Sequence, residues 1–192
     1  IIFFWGFKAL PNEKWQILAT MPKKRHGNGQ WTGENLTFYG FFNANAYVFA
    51  VMIFIVLMGS LKLPVSNIVL SVSLILGICV PASKILAGIV EKKKYTFSVG
   101  GASFAGIVAA PLVVWSVNAI MGKQNMQMQT VPFLAALCIA YAFGEGIGRL
   151  ACISFGCCYG KALKDCPAFI QKLFTNFSFI FTGSTKKIAY AH

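Results

Sequence analysis

Four long apolar stretches constrain this chain more than any other feature of its sequence. They cover residues 38–61, 66–90, 97–121 and 130–156, and each is long enough for a helix that crosses a bilayer, which needs about 20 residues. Only 11% of the 192 residues are charged and 57% are hydrophobic, whereas a soluble domain carries about 25% charged residues. The sequence therefore predicts an all-α fold, a polytopic transmembrane helix bundle of about four spans.

The segments outside this transmembrane core, which we place at residues 38–160, are predicted to be peripheral. Residues 1–37 begin with an apolar stretch too short to span a bilayer and continue as a polar loop. Residues 161–192 form a basic, aromatic tail, which is either an interfacial helix or the start of a further segment. The sequence starts at Ile1, so we expect it to begin within a longer protein.

The polar part of the N-terminal segment contains two weak strand signals, at residues 15–19 and 35–38, on either side of a glycine-containing loop. A basic cluster at residues 23–25 is predicted to form the tip of this loop. A solvated loop is one interpretation of the cluster, and contact with lipid head groups is the other.

The charge of the chain points to anionic lipid as its partner. Seventeen Lys and Arg residues against five Asp and Glu residues give a net charge of +12, and in a membrane protein such an excess favours contact with anionic phospholipid head groups. The chain contains no pattern of a soluble basic module, so we expect no nucleic acid partner. Most loop lysines and arginines fall on one side of a four-span topology, which the positive-inside rule would place in the cytoplasm.

Residues 144–160 (GEGIGRLACISFGCCYG) are the least expected part of the fourth apolar stretch. A charge at membrane depth costs about 2.5–3.5 kcal/mol on insertion scales and therefore marks a candidate functional residue. Glu145 and Arg149 are four residues apart, so on a helix they share a face and can pair. Gly144, Gly148 and Ala151 place small residues near that face, where another helix or a lipid head group can approach closely.

Two further polar features accompany the apolar stretches. Lys84 lies inside the second stretch, where it either extends towards the membrane surface or contacts a phosphate. Gly100, Gly101 and Gly106 surround Ser103 at the start of the third stretch, and such dense glycines favour a re-entrant or broken turn that lines a cavity. Together these features predict a polar pocket at one membrane face.

Three motifs resemble those of the prolipoprotein diacylglyceryl transferase family. Residues 148–160 (GRLACISFGCCYG) are similar to its signature Gly-Arg-x-Gly-Asn-Phe-x-Asn-Gly-Glu-x-x-Gly, with the Gly-Cys-Cys-Tyr-Gly ending of a variant branch. Residues 100–106 (GGASFAG) resemble its Gly-Gly-Met-Ser-Phe-His-Gly motif, and residues 38–40 (FYG) resemble its Trp-Tyr-Gly motif. The motifs occur in the family's order and cover approximately residues 35–160.

The resemblance implies a function and a location. Members of the family transfer a diacylglyceryl group from phosphatidylglycerol to the lipobox cysteine of a prolipoprotein, without a cofactor or a metal. They are multi-pass proteins of the bacterial inner membrane with about seven spans, and their active site opens to the periplasm. This orientation is opposite to the one that the loop charges predict, and we adopt it because a pocket for anionic lipid is itself basic.

The resemblance also implies site residues. Arg149 would hold the lipid phosphate, because a guanidinium grips phosphate through two parallel hydrogen bonds. Tyr39 would position the substrate, and we add Glu145 as a candidate catalytic residue. The predicted substrate-binding residues are Gly100, Gly101, Ser103, Lys84, Cys152, Gly156, Cys157 and Gly160.

Departures from the family motifs leave two alternatives open. Ala105 stands at the family's histidine, Cys152 at its asparagine and Cys157 at its glutamate. One alternative is therefore a family member that binds anionic phospholipid without this chemistry. The other is a thiol-based membrane oxidoreductase or metal site that uses the cysteines of the motif and Cys166. Glu145 is a candidate proton acceptor in place of the missing histidine.

Overall fold

The computed structural model describes residues 1–11, 17–27, 29–89, 99–121, 127–156, 161–176 and 178. These residues are mostly helical and include one small two-stranded sheet. The elements in chain order are α1 (Ile2–Ala9), β1 (Ile17–Arg25), β2 (Trp31–Thr37), α2 (Phe38–Ser60), α3 (Val65–Ile89), α4 (Val99–Met121), α5 (Thr130–Phe155), a 3-10 turn (Leu163–Asp165) and α6 (Ala168–Phe174).

Helices α2 to α5 confirm the predicted fold class. They contain 23, 25, 23 and 26 residues, and all four are long and apolar enough to cross a membrane. Helices of these lengths rise about 35–39 Å, more than the hydrocarbon thickness of about 30 Å. At the ends that the structure describes, the predicted and observed bounds differ by at most one residue. Residues 90 and 97–98 lie outside the described residues. The chain is a multi-pass membrane protein.

The expectation of a broken turn at the start of α4 is wrong. Helix α4 runs without interruption from Val99 through Gly100, Gly101 and Gly106 to Met121. Glycine costs about 1 kcal/mol relative to alanine inside a helix, whereas each backbone group left unpaired in lipid costs several kcal/mol, so the continuous helix is favoured. Gly106 serves instead for close packing, because a Cβ there would lie 3.2 Å from the Cys79 sulfur on α3.

Residues 48–143 form one compact unit with an apolar core. Met58, Val117 and Phe133 are fully buried in it, and the rings of Phe54 and Phe133 meet edge to face with centroids 5.3 Å apart. Asn118 joins the end of α4 to the segment before α5. Its side-chain amide donates to the Met128 carbonyl and its oxygen accepts from the Met128 N–H, both at 2.9 Å.

Residues 1–47 and 144–192 belong to a second compact unit. Helix α1, which is too short to span as predicted, packs on α5, and a Cβ at Gly6 would lie only 2.7 Å from a Leu150 methyl group. Leu10, Leu150 and Ala151 are fully buried, and Phe42 joins them in the core of this unit. Helix α6 covers part of the segment predicted as an interfacial helix, and residues 179–192 lie outside the described residues.

Strands β1 and β2 form an antiparallel hairpin that pairs from Ile17 opposite Thr37 to Arg25 opposite Trp31. Two strands were predicted, but with different bounds. The prediction that residues 23–25 form a loop tip is wrong, because all three belong to β1. Lys23 forms a cross-strand ion pair with Glu34, and the turn lies further on, where Gly29 adopts a φ of +81° that favours glycine.

Candidate functional site

Glu145 and Arg149 form the predicted ion pair on α5. The Arg149 Nη2 atom donates a hydrogen bond to the Glu145 Oε1 atom at 2.7 Å, one helical turn away. The Arg149 side chain is 49% exposed and that of Glu145 is 36% exposed. A pair this exposed adds only about 0.3–0.5 kcal/mol to helix stability. The pair therefore neutralises charge on a membrane helix while the guanidinium stays accessible.

Helices α2 and α5 run antiparallel in the unit that holds this pair. A Cβ at Gly148 would lie 3.9 Å from the Ala46 Cβ atom, and the rings of Tyr39 and Phe155 are centred 5.2 Å apart. Positions further along α2 therefore face earlier positions on α5. This register places Asn45 at the level of Arg149.

The contact line between α2 and α5 places several polar side chains on one flank. Phe42, Gly148 and Ala151 lie on this line or in the core beside it. Asn43, Arg149 and Cys152 each follow one of these residues by one position. In two antiparallel right-handed helices, the position after a contact residue lies on the same side of the pair on both helices. Glu145, one turn before Arg149, completes this group, which we call the polar flank (Asn43, Glu145, Arg149, Cys152).

Asn43 is a member of the polar flank that the predicted site residues omit. It is half-buried, and its side-chain amide donates to the Tyr39 carbonyl at 3.0 Å. The sequence offered one sign of its importance, which is a polar amide within an apolar stretch, one helical turn after Tyr39. Its place on the same flank as Arg149 depends on the pairing of α2 with α5, which are far apart in the chain.

Gly156 has a structural reason to be glycine. It directly follows the last residue of α5 and adopts a φ of +66°, and its N–H donates to the Ile153 carbonyl at 3.2 Å. A left-handed residue after a helix is a common way to end it. The next signature residues, Cys157 and Gly160, lie outside the described residues.

The remaining predicted residues belong to the other compact unit. Lys84 is exposed on α3, and Gly100 is exposed at the start of α4, where an added Cβ would meet no described atom within 4 Å. Gly101 and Ser103 are half-buried, and the Ser103 hydroxyl donates to the Val99 carbonyl at 3.0 Å. Their roles in binding lipid stay predictions.

The described residues give little support to the alternative of a thiol-based oxidoreductase or a metal site. Within them, no group of three or more His, Cys, Asp or Glu side chains is placed to hold a metal ion. Cys152 is half-buried on α5 and Cys166 is half-buried next to the 3-10 turn. The adjacent Cys157 and Cys158 lie outside the described part of the chain.

Comparisons with known proteins leave the family resemblance as a hypothesis. No protein-family model, curated protein or solved structure matches the chain.

Proposed function

We propose that this protein is a membrane transferase that moves a diacylglyceryl group from phosphatidylglycerol to the cysteine of a lipoprotein. The observation that carries the proposal is the half-exposed guanidinium of Arg149 on an apolar membrane helix. A charge in such a helix is costly and marks a functional position by default. A phosphodiester is the group in a bilayer that a guanidinium binds best.

Lipid binding would rearrange the ion pair of the polar flank. Two phosphate oxygens engage the Arg149 guanidinium and displace the Glu145 carboxylate, which is now bonded to it at 2.7 Å. The displaced carboxylate oxygen can then accept a hydrogen bond from the acceptor thiol. Substrate binding therefore prepares Glu145 to act as a base.

The proposed transfer is a single displacement at carbon. The sulfur of the acceptor cysteine attacks the glyceryl carbon that carries the phosphate ester. The bond from this carbon to the phosphate oxygen breaks, a carbon–sulfur bond forms, and glycerol phosphate leaves with the electron pair of the broken bond. Glu145 acts as the general base and takes the proton of the thiol. Tyr39, packed against Phe155, positions the lipid beside Arg149.

The proposed setting is the bacterial inner membrane, with the site on the periplasmic face. The partners are phosphatidylglycerol, or another anionic phospholipid, and the lipobox peptide of a prolipoprotein. The excess of cationic residues supports an anionic lipid substrate.

A direct assay tests this proposal. The protein is reconstituted in vesicles that contain phosphatidylglycerol and is given a lipobox peptide, and mass spectrometry then looks for a diacylglyceryl adduct on the peptide cysteine. A peptide with serine in place of that cysteine is the control. An adduct on the cysteine peptide alone is the expected result, and no adduct under conditions where an active transferase of the family forms one would overturn the proposal.

A second candidate function is phospholipid binding without transfer. Ala105 stands on α4 at the position where the resemblance expects histidine, and a methyl group accepts no proton. On this hypothesis the protein retains the phosphate contact of Arg149 but forms no adduct. Lipid that co-purifies with the wild-type protein and is lost in Arg149→Ala, together with a negative transfer assay, would favour this function.

A further inference from the structure

The hairpin of β1 and β2 is exposed along most of its described length. Every residue of β1 is exposed, and so are residues 32–36 of β2. A two-stranded hairpin on its own is marginally stable in water and needs a surface to pack on. Cross-strand contacts, such as the 2.8 Å hydrogen bond from Thr20 to Asn35, hold its register but leave its large apolar side chains about half exposed.

The hairpin ends where a membrane span begins. Strand β2 ends at Thr37 and α2 begins at the next residue, Phe38. The Thr37 hydroxyl accepts a hydrogen bond from the Gly40 N–H at 3.1 Å and so caps the start of the helix. Because α2 is long and apolar enough to cross the bilayer, the base of the hairpin lies at the membrane surface.

Apolar and cationic side chains occupy different halves of the hairpin. Its membrane-proximal half exposes four large apolar residues, each with 46–50% of its surface accessible: Ile17, Leu18, Met21 and Leu36. Its distal half carries Lys23, Lys24 and Arg25, against the single carboxylate of Glu34. The two halves match the two layers of a membrane surface, which are the acyl boundary and the anionic head groups.

We propose that this hairpin docks along a membrane surface that contains anionic phospholipid, with its apolar base in the interface and its cations on lipid phosphates. The strand from Ile17 to Lys24 extends about 23 Å at 3.3 Å per residue. One polar layer of a bilayer is only about 5–8 Å thick, so an upright hairpin would hold its cations beyond the phosphates. A hairpin that lies at a shallow angle to the surface brings its apolar base to the acyl boundary and its cations to the phosphates.

Hydrogen exchange of the whole protein tests this docking without any use of enzyme activity. We compare nanodiscs of phosphatidylcholine alone with nanodiscs of equal parts phosphatidylcholine and phosphatidylglycerol. We expect amide exchange in residues 18–25 to be about tenfold slower with phosphatidylglycerol. The difference should disappear at about 1 M salt, where the Debye length is about 3 Å. Equal exchange in the two lipids would overturn the proposal.

A matched pair of variants and an independent probe complete the test. Lys24→Gln removes one cation from the hairpin but leaves the ion pair of Lys23 with Glu34, and it should reduce the effect of phosphatidylglycerol at least twofold. Lys62→Gln removes one cation beyond the other end of α2 and should leave the effect unchanged. Met21 should be oxidised by aqueous peroxide more slowly in the phosphatidylglycerol discs. Docking by the hairpin is contradicted if Met21 is oxidised equally fast in both discs. It is also contradicted if Lys24→Gln and Lys62→Gln reduce the effect of phosphatidylglycerol on amide exchange equally.

Discussion

Gly148 of α5 lies against Ala46 of α2, and a Cβ at position 148 would lie 3.9 Å from that of Ala46. This distance is an ordinary van der Waals contact, so the two helices leave room for an alanine at position 148. Arg149 follows Gly148 directly. The spacing of the helices therefore sets the point from which the guanidinium reaches outward.

The effect of a substitution at Gly148 should depend on the size of the new side chain. We expect Gly148→Ala to retain stability and activity, because its methyl group fits the observed space. We expect Gly148→Leu to destabilise the protein by about 1–3 kcal/mol through overpacking and to reduce lipid transfer. Thermal unfolding in detergent and the transfer assay measure both effects. Gly77→Leu is the control, because a Cβ at Gly77 meets no described atom within 4 Å; equal effects of the two leucines would contradict the role of the contact.

Arg149 should matter for lipid chemistry far more than for stability. Arg149→Ala should abolish lipid turnover, and Arg149→Lys should lower it by about 10–100-fold, because an ammonium keeps the charge but loses the paired hydrogen bonds to phosphate. In detergent, where water can reach the pair, the free energy of unfolding should change by less than about 0.5 kcal/mol, since both side chains are substantially exposed. Lys172→Ala on α6 is a control for the loss of a cation. Turnover that persists in Arg149→Ala would exclude the phosphate contact.

Glu145→Gln tests the proposed base. The amide keeps the shape of the side chain but accepts no proton, so kcat should fall by about 10²–10⁴-fold while the KM for lipid changes little. Glu34→Gln is the control. It removes the carboxylate that pairs with Lys23 in the hairpin and should leave kcat unchanged. Full activity in Glu145→Gln would show that another group takes the thiol proton.

Asn118 should stabilise the connection between α4 and α5. In Asn118→Leu the Met128 N–H and carbonyl lose the two 2.9 Å bonds to the side chain. Loss of partners for partly buried backbone groups should cost about 1–3 kcal/mol. Asn45→Leu is a matched control, because the Asn45 amide bonds within its own helix, to the Phe41 carbonyl at 2.8 Å. An unfolding midpoint equal to that of the control would contradict this role for Asn118.

The sequence predicted those features that depend on local spacing. Length and apolar composition locate α2 to α5 because a bilayer demands continuous helices of this length. The pair of Glu145 and Arg149 follows from the four-residue repeat of a helix face. For Gly100 and Gly101, intrinsic propensity favoured a break, but the need to pair every backbone group in lipid outweighs it.

Features that depend on pairing between distant segments were beyond prediction from the sequence. The place of Asn43 on the same flank as Arg149 requires the antiparallel register of α2 and α5. The contact of Asn118 with Met128 joins two residues that are ten positions apart in the chain. The charge of residues 23–25 is typical of a loop, whereas the pairing of Lys24 with Thr32 and of Arg25 with Trp31 determines their actual conformation.

The direct junction between β2 and α2 has a mechanical consequence. A hinge needs linker residues whose φ and ψ angles are free to change, and the chain passes from Thr37 in the strand to Phe38 in the helix without one. The bond from Gly40 to the Thr37 hydroxyl stiffens this joint further. A change in the orientation of the hairpin would therefore also change the orientation of the first turn of α2, which carries Tyr39 one residue beyond the start of the helix.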